Sequence, residues 1–155
     1  MRHFCASAFV VDPTTKKLLL VFHGKFRKWV QPGGHIEEDE FPEETVKREV
    51  FEETGYKIEL IGEHFPREDD FIKPLGIQKN RGSNGDCHID IIYAARPLNH
   101  VKVGKDEEIM NYRWFTRDEL NTLNAFPDIK ITFDYILREI LKWHLLIYGM
   151  FIFIR

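Results

Sequence analysis

The run from Pro42 to Thr54 constrains this chain more than any other stretch. Proline suits the first turn of a helix because the N–H it lacks has no intrahelical partner there, and Glu43 and Glu44 favour the positive end of the helix dipole. Gly55 then supplies a C-terminal stop. Upstream, Pro32-Gly33-Gly34 lets the backbone turn sharply in a loop and come close to a ligand. At about 100° per residue, Glu49, Glu52 and Glu53 fall within an arc of roughly 100°, with Val46 and Val50 beside it. The pattern predicts a helix pinned to a sheet by its valines, with its acidic side held at a cleft.

β-rich segments on both sides supply that sheet. Phe4 to Val11 is apolar and rich in small residues, Asp12-Pro13-Thr14-Thr15 breaks it, and Leu18 to Phe22 comes next, which reads as a hairpin. Tyr56 to Ile61 and His88 to Ala95 read as further strands, and Asn111 to Phe115 as a short one. Thr116-Arg117-Asp118-Glu119 is a capping box expected to start another helix. A final helix is expected from about Ile129, since Ile129, Phe133, Ile136, Leu137, Ile140 and Leu141 recur at helical spacing. Between Gly62 and Cys87 lies a long segment read as irregular, whose tip from Asn80 to Gly85 is a candidate substrate loop or lid. Strands and helices that alternate in this irregular way indicate an α/β chain, a mixed sheet with helices packed on it. At 155 residues and 43% hydrophobic, the chain has the size of one domain spanning 1–155. Its apolar tail, 144–155, is too short to cross a bilayer, which takes about 20 apolar residues. The tail reads as core packing or, if exposed, as a homodimer contact.

Three carboxylates on one helical arc repel one another unless a counter-charge stands among them. All-oxygen ligands suit a hard divalent cation, Mg²⁺ or Mn²⁺, which can bridge phosphate oxygens, lower the pKa of water and orient it for in-line attack at phosphorus. The plainer reading is a solvated acidic face with i,i+4 pairs such as Arg48 with Glu52 or Glu44 with Arg48.

The spacing decides between them. The segment from Gly34 to Tyr56 resembles the box of the Nudix (MutT-like) hydrolase family, G-x5-E-x7-R-E-U-x-E-E-x-G-U with U aliphatic: Gly34, Glu40, Arg48, Glu49, Val50, Glu52, Glu53 and Gly55 fit in register. Seven fixed identities of that kind coincide by chance at roughly one in 10⁸ per start position. Tyr56 departs from the pattern, at a packing position. The resemblance implies an α/β/α sandwich around a mixed sheet. It also implies metal binding by Glu49, Glu52 and Glu53 with the Gly34 carbonyl, an orienting role for Arg48, and a tie from Glu40 to Arg48. The general base varies within the family; Glu49, Glu53, Glu107 and Glu108 are candidates here, and Glu108 is also a candidate further ligand. The implied reaction is hydrolysis of a diphosphate bond in a nucleoside diphosphate linked to another group.

Outside the box, His35, His88 and Arg81 are candidate substrate contacts, with Lys79 beside Arg81 and Asp90 on the same strand face as His88. Trp29 either stacks on a base or packs under the Pro-Gly-Gly turn. A net charge of −3 argues against a nucleic-acid backbone as partner, which calls for a basic surplus, and favours a small nucleotide-type molecule. Cys5 and Cys87 match no metal or redox spacing and read as small hydrophobes of a reducing compartment. With no apolar leader after Met1, the expected address is cytoplasmic, with no membrane partner. Two rival functions stay open: a non-catalytic Nudix-fold ligand sensor, against which the intact box argues, and an RNA 5′-end pyrophosphohydrolase, against which the acidic balance argues.

Overall fold

The computed structural model describes residues 2–64, 66–67, 69–81, 85–102 and 108–141. β1 (Arg2–Asp12) and β2 (Lys17–His23) form the expected antiparallel hairpin, with Val10 opposite Leu19. β3 (Lys28–Val30) pairs with β2, and β4 (Gly33–His35) with Cys5 to Ser7 of β1. The helix α1 (Pro42–Thr54) runs between the two limits set by Pro42 and Gly55, and β5 (Tyr56–Ile61) comes directly after it. β6 (Gly76–Arg81) and β5 both pair antiparallel with β7 (Cys87–His100), and β8 (Ile109–Phe115) pairs with β2. β7 runs parallel to β1 from Arg2 opposite Cys87 to Val10 opposite Ala95, which makes the sheet mixed.

Alternation along β1 sends its side chains into two cores. Phe9 and Val11 join Phe115, Ile129 and Phe133 on the face covered by α2 (Pro127–Tyr135). Ala6, Ala8 and Val10 join Leu19, Val46 and Val50 on the face covered by α1. With helices on both faces, the small residues from Ala6 to Ala8 of β1 are buried, and the fold is the α/β/α sandwich expected.

Several expectations are corrected. The segment from Gly62 to Cys87 is not irregular throughout: Gly76 to Arg81 is a strand, made so by backbone pairing with β7 and not by apolar alternation of its own. Gly33 and Gly34 lie in a strand and not a loop, because β1 pairs with them. Thr116 and Glu119 do cap one another, with Glu119 Oε2 accepting from Thr116 N–H at 2.7 Å and from Oγ1 at 3.1 Å. The capped segment is only a single 3₁₀ turn (Glu119–Asn121), after which the chain is drawn back to bridge Ala125 to Trp29. The last helix begins at Pro127, and after Tyr135 it widens into one π turn (Ile136–Ile140) that keeps Ile136 and Leu141 buried. The tail expectation at 144–155, the candidate base Glu107 and the loop-tip residues 82–84 lie outside the described residues. Among the described residues no helix is long and apolar enough to cross a membrane.

Candidate active site

α1 and β4 meet at the acidic side of the helix. Val46 and Val50, fully buried on the sheet, set the helix rotation so that Arg48, Glu49 and Glu53 turn toward β4, with Glu52 held beside them by Arg48. The Gly34 backbone lies against Glu49: a Cβ at that position would stand 2.3 Å from Glu49 Oε1. Gly33 N–H donates to Glu53 Oε2 at 3.1 Å. The glycine pair thus serves close approach, as the sequence suggested, from within a strand.

Arg48 is the hub. Its Nε donates to Glu40 Oε1 at 2.6 Å and its Nη2 to Glu40 Oε2 at 2.8 Å, a bidentate grip. Its Nη1 donates to Glu49 Oε1 at 2.9 Å and to Glu52 Oε2 at 3.1 Å, and its Nη2 to the His35 carbonyl at 3.3 Å. Thr45 Oγ1 donates to Glu40 at 2.8 Å from the buried start of the helix. The Arg48 guanidinium holds the Glu40 carboxyl down to about 2, and the same contacts raise Arg48 above its ordinary value. The tie from Glu40 to Arg48 is therefore present, and the like charges of Glu49 and Glu52 share one cation.

Glu49, Glu52 and Glu53 each have an anchor, and among the described residues no three acidic, histidine or cysteine side chains converge into a ready-made metal cage. Their chemistry nonetheless fits a hard divalent ion: every donor is a carboxylate oxygen, and a side chain at Gly34 would fill the space that Glu49 takes up.

Beside this cluster opens a cavity of about 580 Å³, within the range of small-molecule sites. Gly33, Gly34, His35, His88, Lys79, Arg81 and Glu108 all border it. His35 and His88 stand with ring centroids 5.2 Å apart, and His3, not singled out by the sequence, lies 5.1 Å from one and 5.6 Å from the other. Burial, then the imidazoles of His88 and His3, lowers the pKa of His35. Glu108 faces His23, with Oε2 to Nε2 at 3.3 Å. Asp90 is buried on the cavity floor, where Ser7 Oγ donates to its Oδ2 at 2.9 Å, and burial pushes its carboxyl up. Cys5 and Cys87 are free thiols, and burial drives Cys5 up to about 11, which leaves it a poor nucleophile. Trp29 packs edge-on against Phe115 at 4.7 Å and Phe22 at 5.4 Å, in the core on the α2 side and not in the cavity lining.

Sequence reasoning missed His3, Ser7, His23, Gln31, Phe26 and Phe126 as cavity or cluster residues. For Ser7 the signal was the two-residue period of β1, which puts it on the face of Phe9. The others are brought in by strand pairing and by the loops before β3, β4 and α2.

Comparison with known proteins agrees with this geometry. The family pattern described as NUDIX domain matches residues 1–135. A MutT-like protein of Streptomyces ambofaciens is 31% identical over 121 residues, covering 77% of this chain and 68% of that protein. The asymmetrical bis(5′-nucleosyl)-tetraphosphatase of Rattus norvegicus is 30% identical over 129 residues, with 79% of each chain covered. The crystal structure of a NUDIX-family hydrolase from Clostridium perfringens matches with a TM-score of 0.76 at 29% identity, over 92% of this chain and 98% of the other. With the box residues in register on α1 and the sandwich around them, the chain belongs to the Nudix (MutT-like) hydrolase family.

Proposed function

We propose that this chain is a divalent-metal-dependent pyrophosphohydrolase that cleaves a diphosphate bond in a nucleoside diphosphate linked to another group. The observation that carries this reading is the Arg48 hub, which fixes Glu49 and Glu52 beside a cavity large enough for a nucleotide. The tetraphosphatase relative, named for a dinucleoside substrate, lends support.

Glu49, Glu52 and Glu53 with the Gly34 carbonyl would hold Mg²⁺ or Mn²⁺, which when bound supplies positive charge against phosphate oxygens and makes water more acidic. Arg48 aims Glu49 and Glu52, and Glu40 holds Arg48 in that pose. Gly33 N–H fixes the Glu53 carboxylate. His35, His88 and Arg81 offer N–H donors to substrate phosphates from the cavity wall. Glu49, Glu53 and Glu108 are the candidates to take the proton of the attacking water, and Glu108 doubles as a candidate further ligand. In this reading one domain works in the cytoplasm on small nucleotide-type molecules and not on nucleic acid or a membrane.

Chromatographic analysis of the products, resolving nucleoside monophosphate, pyrophosphate and the phosphorylated leaving group, on a panel of nucleoside triphosphates, dinucleoside polyphosphates and nucleotide sugars tests the reading. Turnover with Mg²⁺ or Mn²⁺ and its loss with a chelator is the expected result. No turnover by the native chain, beside tight ligand binding, would make it a sensor instead.

A further inference from the structure

A second cavity, of about 480 Å³, opens where β4 ends, and His35 borders both it and the main one. Cys5 lies opposite His35 and Ala6 opposite Gly34, so Arg2, His3 and Phe4 run on past the end of β4 and line the second cavity. The loop at 36–41 closes its other side. That loop is tied back by Ile36 N–H, which donates to the Phe4 carbonyl at 3.0 Å, and by the grip of Glu40 on Arg48. Gly34, which packs on Glu49, is next in the chain to the residue at which the two cavities meet. Phe4 is two residues from Ala6, about 7 Å along the strand. A molecule of two parts joined by a diphosphate can therefore place one part in each cavity, with the bridge beside the carboxylates.

The lining of the second cavity selects what that part is. Arg2, His3 and His35 bring N–H donors and positive charge to one wall. Glu37 and Glu38 bring exposed carboxylates to the other, beside Glu40, which Arg48 already holds. The carboxylates repel a further phosphate, and Arg2 repels an ammonium group. A second nucleobase offers polar atoms along one edge and leaves one wall unsatisfied. Each sugar hydroxyl both donates and accepts, so a hydroxyl-rich ring satisfies both walls at once without carrying charge. Phe4, 57% exposed, offers its ring face to the C–H side of such a group, with Ile36, Pro42 and Ile91 as further apolar floor.

We propose that this second cavity, between the start of β1 and the loop at 36–41, is the subsite for the group linked to the nucleoside diphosphate, and that the group is an uncharged, hydroxyl-rich sugar. The assignment rests on the substrate reading given above and names the chemistry of its other half.

Calorimetric titration of the full chain, with a chelator present to stop turnover, compares ligands that share a nucleoside and a diphosphate bridge and differ in the linked group. ADP-glucose and ADP-ribose are set against diadenosine diphosphate, and CDP-glucose against CDP-choline. In at least one series a sugar conjugate should bind about tenfold or more tightly, the size of one or two hydrogen bonds to charged groups. Phe4→Ala and Glu38→Ala lie at exposed positions where folding is not at stake. Each should cut that preference by roughly three- to tenfold, with ADP binding held within about twofold and the thermal midpoint unchanged. Equal binding, or none, across each series overturns the subsite, and so does a sugar preference unchanged in both variants. Tighter binding of diadenosine diphosphate or CDP-choline also overturns it. A chain with the sugar preference that hydrolyses nothing on the substrate panel loses the hydrolase reading and keeps the subsite. One that hydrolyses dinucleoside polyphosphates without a sugar preference does the reverse.

Discussion

Arg48 bonds to three carboxylates and a carbonyl at once, so changes around it should separate folding from chemistry. Glu40 titrates at about 2 in the folded chain against an ordinary 4.5, so the folded state binds its proton less readily than the unfolded state does. Its contribution to stability is whole above about pH 4.5 and is lost as the pH falls toward about 2. Thermal midpoints tracked across that window should fall less steeply in Glu40→Gln than in the native chain; identical slopes would show that Glu40 is not part of the acid response. Glu53→Gln keeps the volume and the Gly33 contact but removes a charge from the acidic set, so turnover should drop by roughly 10²–10⁴-fold with the circular dichroism spectrum unchanged. Native turnover in that variant would refute the box assignment. Gly34→Ala forces a methyl group to 2.3 Å from Glu49 Oε1. The carboxylate must move, and a loss of about 10–100-fold in kcat/KM is expected without loss of the fold, since displaced groups around a metal site act on that scale and Glu49 is a ligand in the proposed mechanism.

Among the elements, α1 and β5 were legible residue for residue, because proline, the first-turn glutamates and Gly55 are local signals. Gly55 adopts φ 75° and donates its N–H to the Phe51 carbonyl, and a Cβ there would stand 2.1 Å from the Val101 carbonyl oxygen. Gly55→Ala should therefore destabilise the fold by about 1–3 kcal/mol in urea titration, through both strain and collision. A change within error would mean that the helix end and the Val101 backbone shift together. β6 was not legible, because Gly76-Ile77-Gln78-Lys79-Asn80-Arg81 has no apolar alternation and becomes a strand through bonds that β7 supplies. The π turn at Ile136–Ile140 likewise left no local mark: the apolar spacing predicted a regular helix, and the widened turn still keeps Ile136 and Leu141 in the core.

For the molecule as a whole, β1 ties both cores together, so the two helical layers should unfold as one. Phe133 is fully buried on the α2 side, and Phe133→Ala should remove about 3–5 kcal/mol. Trp29 packs on that side and Trp114 on the other, so tryptophan fluorescence and far-UV circular dichroism should report coincident urea transitions. Two separated transitions would show the layers to be independent. The box could be read from one segment, but the cavity could not, because it joins residues such as Ser7 and Asp90 that are 83 positions apart. Parallel pairing of β1 with β7, with His3 opposite His88 and Cys5 opposite Asp90, brings these residues side by side, and no local pattern encodes a long-range register. That arrangement also bears on how the protein can diversify. The cavity floor is built from β1 and β7, where each substitution is also a substitution in the foundation of the fold. β6 borders the same cavity with its exposed Lys79, Asn80 and Arg81, so new ligand preferences can evolve there with the folded state left largely untouched.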